Sequence, residues 1–442
     1  MPEPEIERFQ NLLRIPTVSR RDRSQEDRSQ FDRFHAALVE EFPLVHARLE
    51  REVVGGGALL YRWPGRGTGV PNVLMAHYDV VPADEPGWRH PPFDATLEGE
   101  GDAARIWARG AIDDKGALVS LLEAVEARLA DGYQPASDLY LVFDDCEETT
   151  GAGAAAIVDL LFSRGVRAGL VLDEGGAVVE GVFPGVAGQL AVVGVTEKGI
   201  AGIDLVVEKP GGHASTPAAD GATARLARAI LRLERRPSRA FLSAPNVAML
   251  EALGTRAEGS RGVVLRRAGR FRPLLTRMLA RSTPETRAMV RTTRAITRLS
   301  GSAADNVIAE RATATINVRI AVGSTVEEAA DDIRKAVDDP EVQVIVRYGS
   351  DPAPSSPSSG PAWDTVSAAI AAVYPEALIV PYVMLQASDA RFFSKISENV
   401  YRFLPFDLTT AERAALHAKD ESIRVASYRR AIAFFDALLG RL

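Results

Sequence analysis

Short apolar runs that stop abruptly at ionisable residues recur along this chain, and they leave few folds open. Val73-Leu74-Met75-Ala76 runs into His77 and, two residues on, Asp79. Leu139 to Phe143 runs into Asp144-Asp145-Cys146-Glu147-Glu148, and Gly169 to Leu172 runs into Asp173-Glu174-Gly175-Gly176. Each run has strand length and reads as a buried strand. Apolar strands that end in carboxylates or His fit an open α/β sheet, whose ligands bind beyond the carboxyl ends of the strands. The charged residues are thereby gathered at one edge.

Several readings compete at each position. His77 and Asp79 share a face, because strand side chains repeat every second residue. An imidazole that binds a metal needs a partner behind it to fix its tautomer; a buried structural His beside a solvated Asp gives the same pattern. Ala108 to Gly116 sets Asp113 just before the helical stretch Ala117 to Leu129, as a metal ligand or as a helix N-cap. The carboxylates of Asp144 to Glu148 repel one another unless cations or solvent screen them, so the run is a cation site or a solvated acidic loop. Recurrence at successive strand ends favours the cation.

Composition narrows the class. The 442 residues, 46% of them hydrophobic, suffice for two domains of roughly 100 to 200 residues each. Lys and Arg number 52 against 59 Asp and Glu, a net charge of -7, which argues against general nucleic-acid binding. Cys146 is the single cysteine, which excludes an intrachain disulfide framework and permits a reducing compartment. The acidic start, Met1 to Arg8, lacks a signal-peptide core, and no later stretch reaches membrane-spanning length without charge, so a cytoplasmic location is expected.

From about Ile6 to Pro184 helical and strand patterns alternate, which assigns 1–187 to the first part of one domain. Leu190 to Val195, Ala201 to Val207, Arg311 to Ile320 and Val342 to Tyr348 alternate as strands of a separate antiparallel sheet, with helices at Ala222 to Glu234 and Thr325 to Val337. An inserted α+β domain over 188–350 is expected. Asp351 to Gly360, rich in Pro and Ser, reads as the return linker, and 351–442, with a helix from Trp363 to Ala372, completes the first domain. Arg261 to Arg298 holds eleven Arg, no Lys and one acid, Glu285, among apolar residues such as Leu274, Leu275, Met278, Leu279 and Val290. It reads as a helical insertion, about 240–300, whose Arg face solvent or pair with the acidic first domain. A basic amphipathic helix pair that meets a membrane surface or an anionic lipid is the competing reading, and the apolar spacing also suits a slot for an acyl chain. His213, after Gly211-Gly212, is expected on an exposed turn.

Taken in order, Ala76 to Pro82, Arg109 to Gly116, Glu147-Glu148, Leu172 to Gly176, Gly211 to Ser215, Asp305 to Ile308, Ser388 to Phe393 and His417 with Asp420-Glu421 resemble the co-catalytic zinc peptidase family of aminoacylases, carboxypeptidases and desuccinylases, peptidase family M20. The likeness is greatest to its carboxypeptidase S and N-acyl-amino-acid hydrolase/synthase branch and spans nearly the whole chain. It implies a zinc-peptidase-like catalytic domain with a mixed central sheet, plus an inserted lid domain. It also implies that His77 and Glu174 hold one metal and Glu148 and His417 the other, with Asp113 bridging and Asp79 orienting His77. Asp173 competes with Glu174, since related enzymes use either acid there. The metals would be two Zn2+, with Mn2+ or Co2+ as alternatives. Glu147 is then the general base. By the same resemblance His213 reaches across a lid-mediated homodimer, Asn306 offers donors to an oxyanion, and Arg319 pairs with a terminal carboxylate, a role for which Arg391 competes. The sequence departs from the family at Cys146, where an acid usually precedes the Glu pair, and at Ala309, where a proline usually follows.

The expected activity is amide hydrolysis of N-acyl amino acids or of the C-terminal residue of short peptides. Dipeptidase or desuccinylase activity is the alternative within the family. Outside enzymology, the alternative is a catalytically poor dimer that binds peptides or acyl amino acids through the lid.

Overall fold

The computed structural model describes residues 3–84, 86–183 and 185–442; the first two residues of the acidic start, and Pro184 at the end of the first alternating segment, lie outside them. In chain order the strands are β1 (Glu50–Val54), β2 (Ala58–Trp63), β3 (Asn72–His77), β4 (Thr96–Glu98), β5 (Arg105–Trp107), β6 (Leu139–Asp144), β7 (Leu170–Glu180), β8 (Gln189–Glu197) and β9 (Gly199–Glu208). They continue as β10 (Gly212–His213), β11 (Thr293–Ser300), β12 (Val307–Ile308), β13 (Arg311–Ile320), β14 (Gln343–Ser350), β15 (Leu378–Met384), β16 (Val400–Asp407) and β17 (Ser422–Arg424).

Eight of them form a mixed central sheet in the order β1-β2-β6-β3-β7-β16-β8-β15. Its middle is parallel, with β3 beside β6 and β7, and β7 beside β16. Leu74, Ala76, Leu141 and Phe143 point to one face, into the larger core with the helices Pro4–Leu13, Lys115–Ala130 and Val425–Leu439. Val73, Met75, Tyr140 and Val142 point to the other, against the helix Ala152–Ser163. Cover on both faces is why these strands are apolar at every position.

A second, antiparallel sheet has the order β11-β13-β9-β14. The helices Ala222–Arg235 and Val326–Val337 share a separate core with it through Leu226, Leu233, Ile333 and Val337. A capping box between Thr325 and Glu328 starts the second of these helices, as the sequence pattern T-x-x-E dictates.

Three strand expectations need correction. Leu190–Val195, expected in the second sheet, lies in β8 of the central sheet, antiparallel to β7 and parallel to β15. Nearly every β8 residue is buried, so its run is continuous rather than alternating. The chain crosses to the second sheet at Lys198, between β8 and β9. The run expected to end at Asp173-Glu174 instead continues as β7 to Glu180, its pairing to β16 shifting register beyond Asp173. Gly175 at φ 137° permits that irregularity, and a Cβ on Gly176 would stand 1.8 Å from the Val192 carbonyl oxygen. Finally, Thr293–Ser300 in the Arg-rich segment is strand β11, where β-branched Thr293, Ile296 and Thr297 suit a pleated edge. The rest of that segment is short helices, as expected.

Candidate active site and metal centre

His77 ends β3 and is buried. Its Nδ1 lies 3.0 Å from the Asp79 backbone oxygen and 3.3 Å from Asp79 Oδ1, so the i, i+2 pair does make contact. That fixes Nε2 as the outward atom, 3.0 Å from Asp113 Oδ1 and 3.7 Å from Glu174 Oε1. The two oxygens of Asp79 also accept the backbone N–H groups of Glu147 and Glu148 at 3.0 and 3.2 Å. One carboxylate thus orients the imidazole and anchors the acidic loop after β6.

Asp113 presents its other oxygen, Oδ2, to His417 Nε2 at 2.9 Å, and Glu148 Oε2 lies 3.0 Å from the same nitrogen. Glu421 makes this possible. It is fully buried, accepts N–H groups from Gly110, Ile112 and Asp113, and pairs with Arg109 Nη1 at 2.6 Å. The loop carrying Asp113 is therefore bound to the loop carrying His417. The Asp113–Asp114 peptide is cis, and Asp114 accepts the His77 N–H at 3.3 Å.

Three groups of donor atoms converge within 4.8 Å among the described residues: His77, Asp113 and Glu148; His77, Asp114 and Glu174; and Asp144, Asp145 and Cys146, the last with Asp145 already paired to Arg23 and Arg28. Burial, and then repulsion from Asp113, pushes Glu148 up to about 7 and Glu174 well above the usual carboxylate range. Burial also raises Glu147, with Glu148 adding to it. Glu148 Oε1 and Asp114 Oδ1 are buried without a hydrogen-bond partner. Mixed imidazole and carboxylate donors whose acids resist ionising together fit divalent cations of the zinc type. Asp173 is directed elsewhere, its Oδ2 accepting the Ala390 N–H at 2.7 Å, so Glu174 is the acid that faces His77.

The acidic run after β6 divides by partner. Asp145 is ion-paired to Arg23 and Arg28, and burial, then Asp144, pushes the Cys146 thiol up to about 12. The Glu147 side chain has no hydrogen bond or ion pair among the described residues. Arg319, on β13, has a buried Nη1 without a partner, and burial lowers its pKa, with Arg391 adding to the effect and Glu147 opposing it. Arg391 donates to the backbone oxygens of Ser388 and Thr150. His213 and Asn306 meet on the β10–β12 ribbon, where the Ala214 N–H reaches the Asn306 oxygen at 3.0 Å. Both are exposed, and among the described residues no hydrogen bond or ion pair links either to the acidic cluster.

Residues 73–441 match Peptidase family M20/M25/M40. The chain belongs to that family. Among its relatives, the Xenopus tropicalis N-fatty-acyl-amino acid synthase/hydrolase PM20D1 is 33% identical over 98% of this chain and 85% of its own length. The probable carboxypeptidase S-like 2 of Dictyostelium discoideum is 30% identical over the same shares. An M20 family metallo-carboxypeptidase of Sulfolobus solfataricus, Sso-CP2, has the same fold, with a TM-score of 0.72 at 18% identity over 99% of both chains. Membership in this peptidase family makes the chain a metal-dependent hydrolase.

Sequence reasoning gave no role to Glu421, Asp114, Glu197, Lys198 or Arg402. Arg402 donates to Glu197 at 2.7 Å and to Ser388 at 3.2 Å, with all three side chains buried. Lys198 donates to the backbone oxygens of Ala288 and Arg291. These residues join the Ser388–Arg391 turn and the Arg-rich insertion to the crossing between the sheets. Of these, Glu421 and Asp114 lay within motifs noted in the sequence, Asp420-Glu421 and Arg109 to Gly116, and the other three did not.

Proposed function

We propose that the protein hydrolyses the amide bond of N-acyl amino acids, with two zinc-type ions held by His77, Asp113, Glu148, Glu174 and His417. The observation that carries this reading is Asp113, whose two oxygens face two different imidazoles at 3.0 and 2.9 Å, as a bridging carboxylate requires. Those residues would hold the ions, which when bound would supply Lewis acidity toward the scissile carbonyl and lower the pKa of water. Glu147, without a hydrogen bond or ion pair among the described residues, takes a proton from an attacking water as the water's oxygen bonds to the carbonyl carbon, then delivers it to the nitrogen as the C–N bond breaks. The products are a carboxylic acid and an amino acid.

Arg319 receives the substrate's terminal carboxylate, since its buried Nη1 lacks a partner, while Arg391 is spent on backbone oxygens. We assign the second sheet and its helices to a lid, inserted between the two parts of the catalytic domain. His213 and Asn306, exposed on that lid, serve the site of a second copy in a homodimer. The likeness to a relative named as an N-fatty-acyl-amino acid synthase/hydrolase supports acylated amino acids, rather than free peptides, as the substrates of this chain.

The test is release of free amino acid from acetyl to long-chain N-acyl amino acids, beside dipeptides, using protein reloaded with zinc after chelation. Turnover that grows with acyl length supports the reading. Turnover confined to dipeptides assigns the site to the dipeptidase alternative.

A further inference from the structure

The Arg-rich insertion carries a surface that the catalytic reading leaves unused. In the helix Arg272–Leu279 and its flanks, Phe271, Leu275 and Leu279 recur at i, i+4, i+8 and pack into the large core. A second stripe, Arg270, Leu274, Arg277, Met278 and Arg281, points outward. Leu274 is 50% and Met278 58% exposed, and on the neighbouring helix Gly259–Leu265 Val263 is 46% exposed. The inner stripe already seats the helix, so these aliphatic side chains are not required by the core.

The charges around them are equally unclaimed. Arg261, Arg267, Arg270, Arg272, Arg277 and Arg281 are exposed and form no ion pair or side-chain hydrogen bond among the described residues. These six therefore face solvent, one of the two arrangements expected of them, and none pairs with the acidic first domain among the described residues. Glu285, the one acid between Arg261 and Arg298, has its charge opposed by Arg413 and Arg287. The result is a locally cationic face studded with aliphatic side chains, on a chain whose net charge is -7.

We propose that the outer face of the helices Gly259–Leu265 and Arg272–Leu279 docks on a lipid bilayer that carries anionic headgroups. Charge complementarity and exposed aliphatic residues are what an interfacial helix needs: arginines for the headgroups, and Leu274 and Met278, i and i+4 on one helix face, for the acyl boundary, with exposed Val263 on the adjoining helix. Nucleic acid fits less well, because the exposed apolar side chains are aliphatic and offer no ring for bases to stack on. The insertion also adjoins the site. Glu285 lies within electrostatic reach of Arg413, on the short helix Thr410–Ala415 that leads to His417.

Co-flotation of the full-length protein with phosphatidylcholine vesicles, with and without phosphatidylserine, tests the proposal. The expected result is retention on the phosphatidylserine vesicles alone, weakened by salt. Each arginine near an anionic surface strengthens partitioning by about fivefold, so R270E/R277E/R281E should weaken it by about a hundredfold. L274S/M278S should weaken it by about tenfold. All these positions are exposed, and unchanged thermal melting together with unchanged hydrolysis of a soluble N-acetyl amino acid shows that the variants fold. Failure of every substrate leaves the flotation readout intact, so this proposal and the catalytic one fail separately. No retention on either vesicle, equal retention on both, or retention unaffected by the variants overturns the proposal. So does full displacement of the protein from vesicles by duplex DNA at equal phosphate concentration, which would mark a general polyanion surface.

Discussion

Asp79 and Glu147 sit in the same few ångströms yet do opposite things. Asp79 spends both oxygens on His77 and the loop N–H groups, whereas Glu147 keeps its carboxyl free. Glu147→Gln should therefore retain its bound metal by elemental analysis and lose about 10²- to 10⁴-fold in turnover; unaltered turnover would remove Glu147 from the mechanism. Asp79→Asn should weaken metal binding by about 10- to 100-fold in a chelator competition, since the imidazole keeps the backbone oxygen at position 79 but loses the carboxylate charge beside it. His77, Glu148 and Glu174 were legible as candidates because a His and acids stood where apolar strands stop; Asp113 stood before a helix, and His417 entered only through the family resemblance. The partners that aim them were not legible. Glu421 lies 308 positions from the Asp113 N–H that it accepts, and nothing local announces that contact.

At the scale of elements, the site depends on loops tied together rather than on the strands alone. Arg109 and Glu421 form a buried ion pair that also secures the Asp113 loop. Removing one partner of such a pair leaves a buried charge alone and costs about 3–5 kcal/mol. Glu421→Ala is expected to lower the denaturation midpoint accordingly and to lose metal, whereas an intact midpoint would show that the loops hold without it. The parallel strands were legible from their continuous apolar runs. β8 was assigned to the wrong sheet because a run covered on both faces carries no period to show which sheet covers it. β11 was hidden because Arg294 and Arg298 dominate a segment whose strand character rests on Thr and Ile. The two sheets and the mixed α/β class were readable; the crossing at Lys198 was not.

For the molecule as a whole, the crowded carboxylates link metal, proton and stability. In metal-free protein Glu148 is raised from 4.5 to about 7, so the folded state binds the extra proton and the stability it contributes is lost as pH rises from 4.5 through 7. His417, raised from 6.5 to about 10 by its bonds to Asp113 and Glu148, acts in the same direction between 6.5 and 10. The melting temperature lost on chelation should therefore grow as pH rises across that range, while the buried Lys115 and Lys198, lowered to about 7, add an opposite slope common to both forms. Zinc replaces those protons and should flatten the dependence; parallel pH profiles with and without metal would contradict this linkage. Dimer and lid can be probed at this scale too: mixing His213→Ala with Glu147→Ala should restore part of the activity each lacks if His213 serves a second copy's site, and no recovery would return His213 to its own chain. The central claim is that the cluster of His77, Asp113, Glu148, Glu174 and His417 hydrolyses amides only with metal bound. The measurement is hydrolysis of a long-chain N-acyl amino acid by chelated protein as zinc is titrated back. Activity should be absent at the start and return as the two proposed sites fill. Activity that survives chelation, or none from fully loaded protein, would contradict the claim.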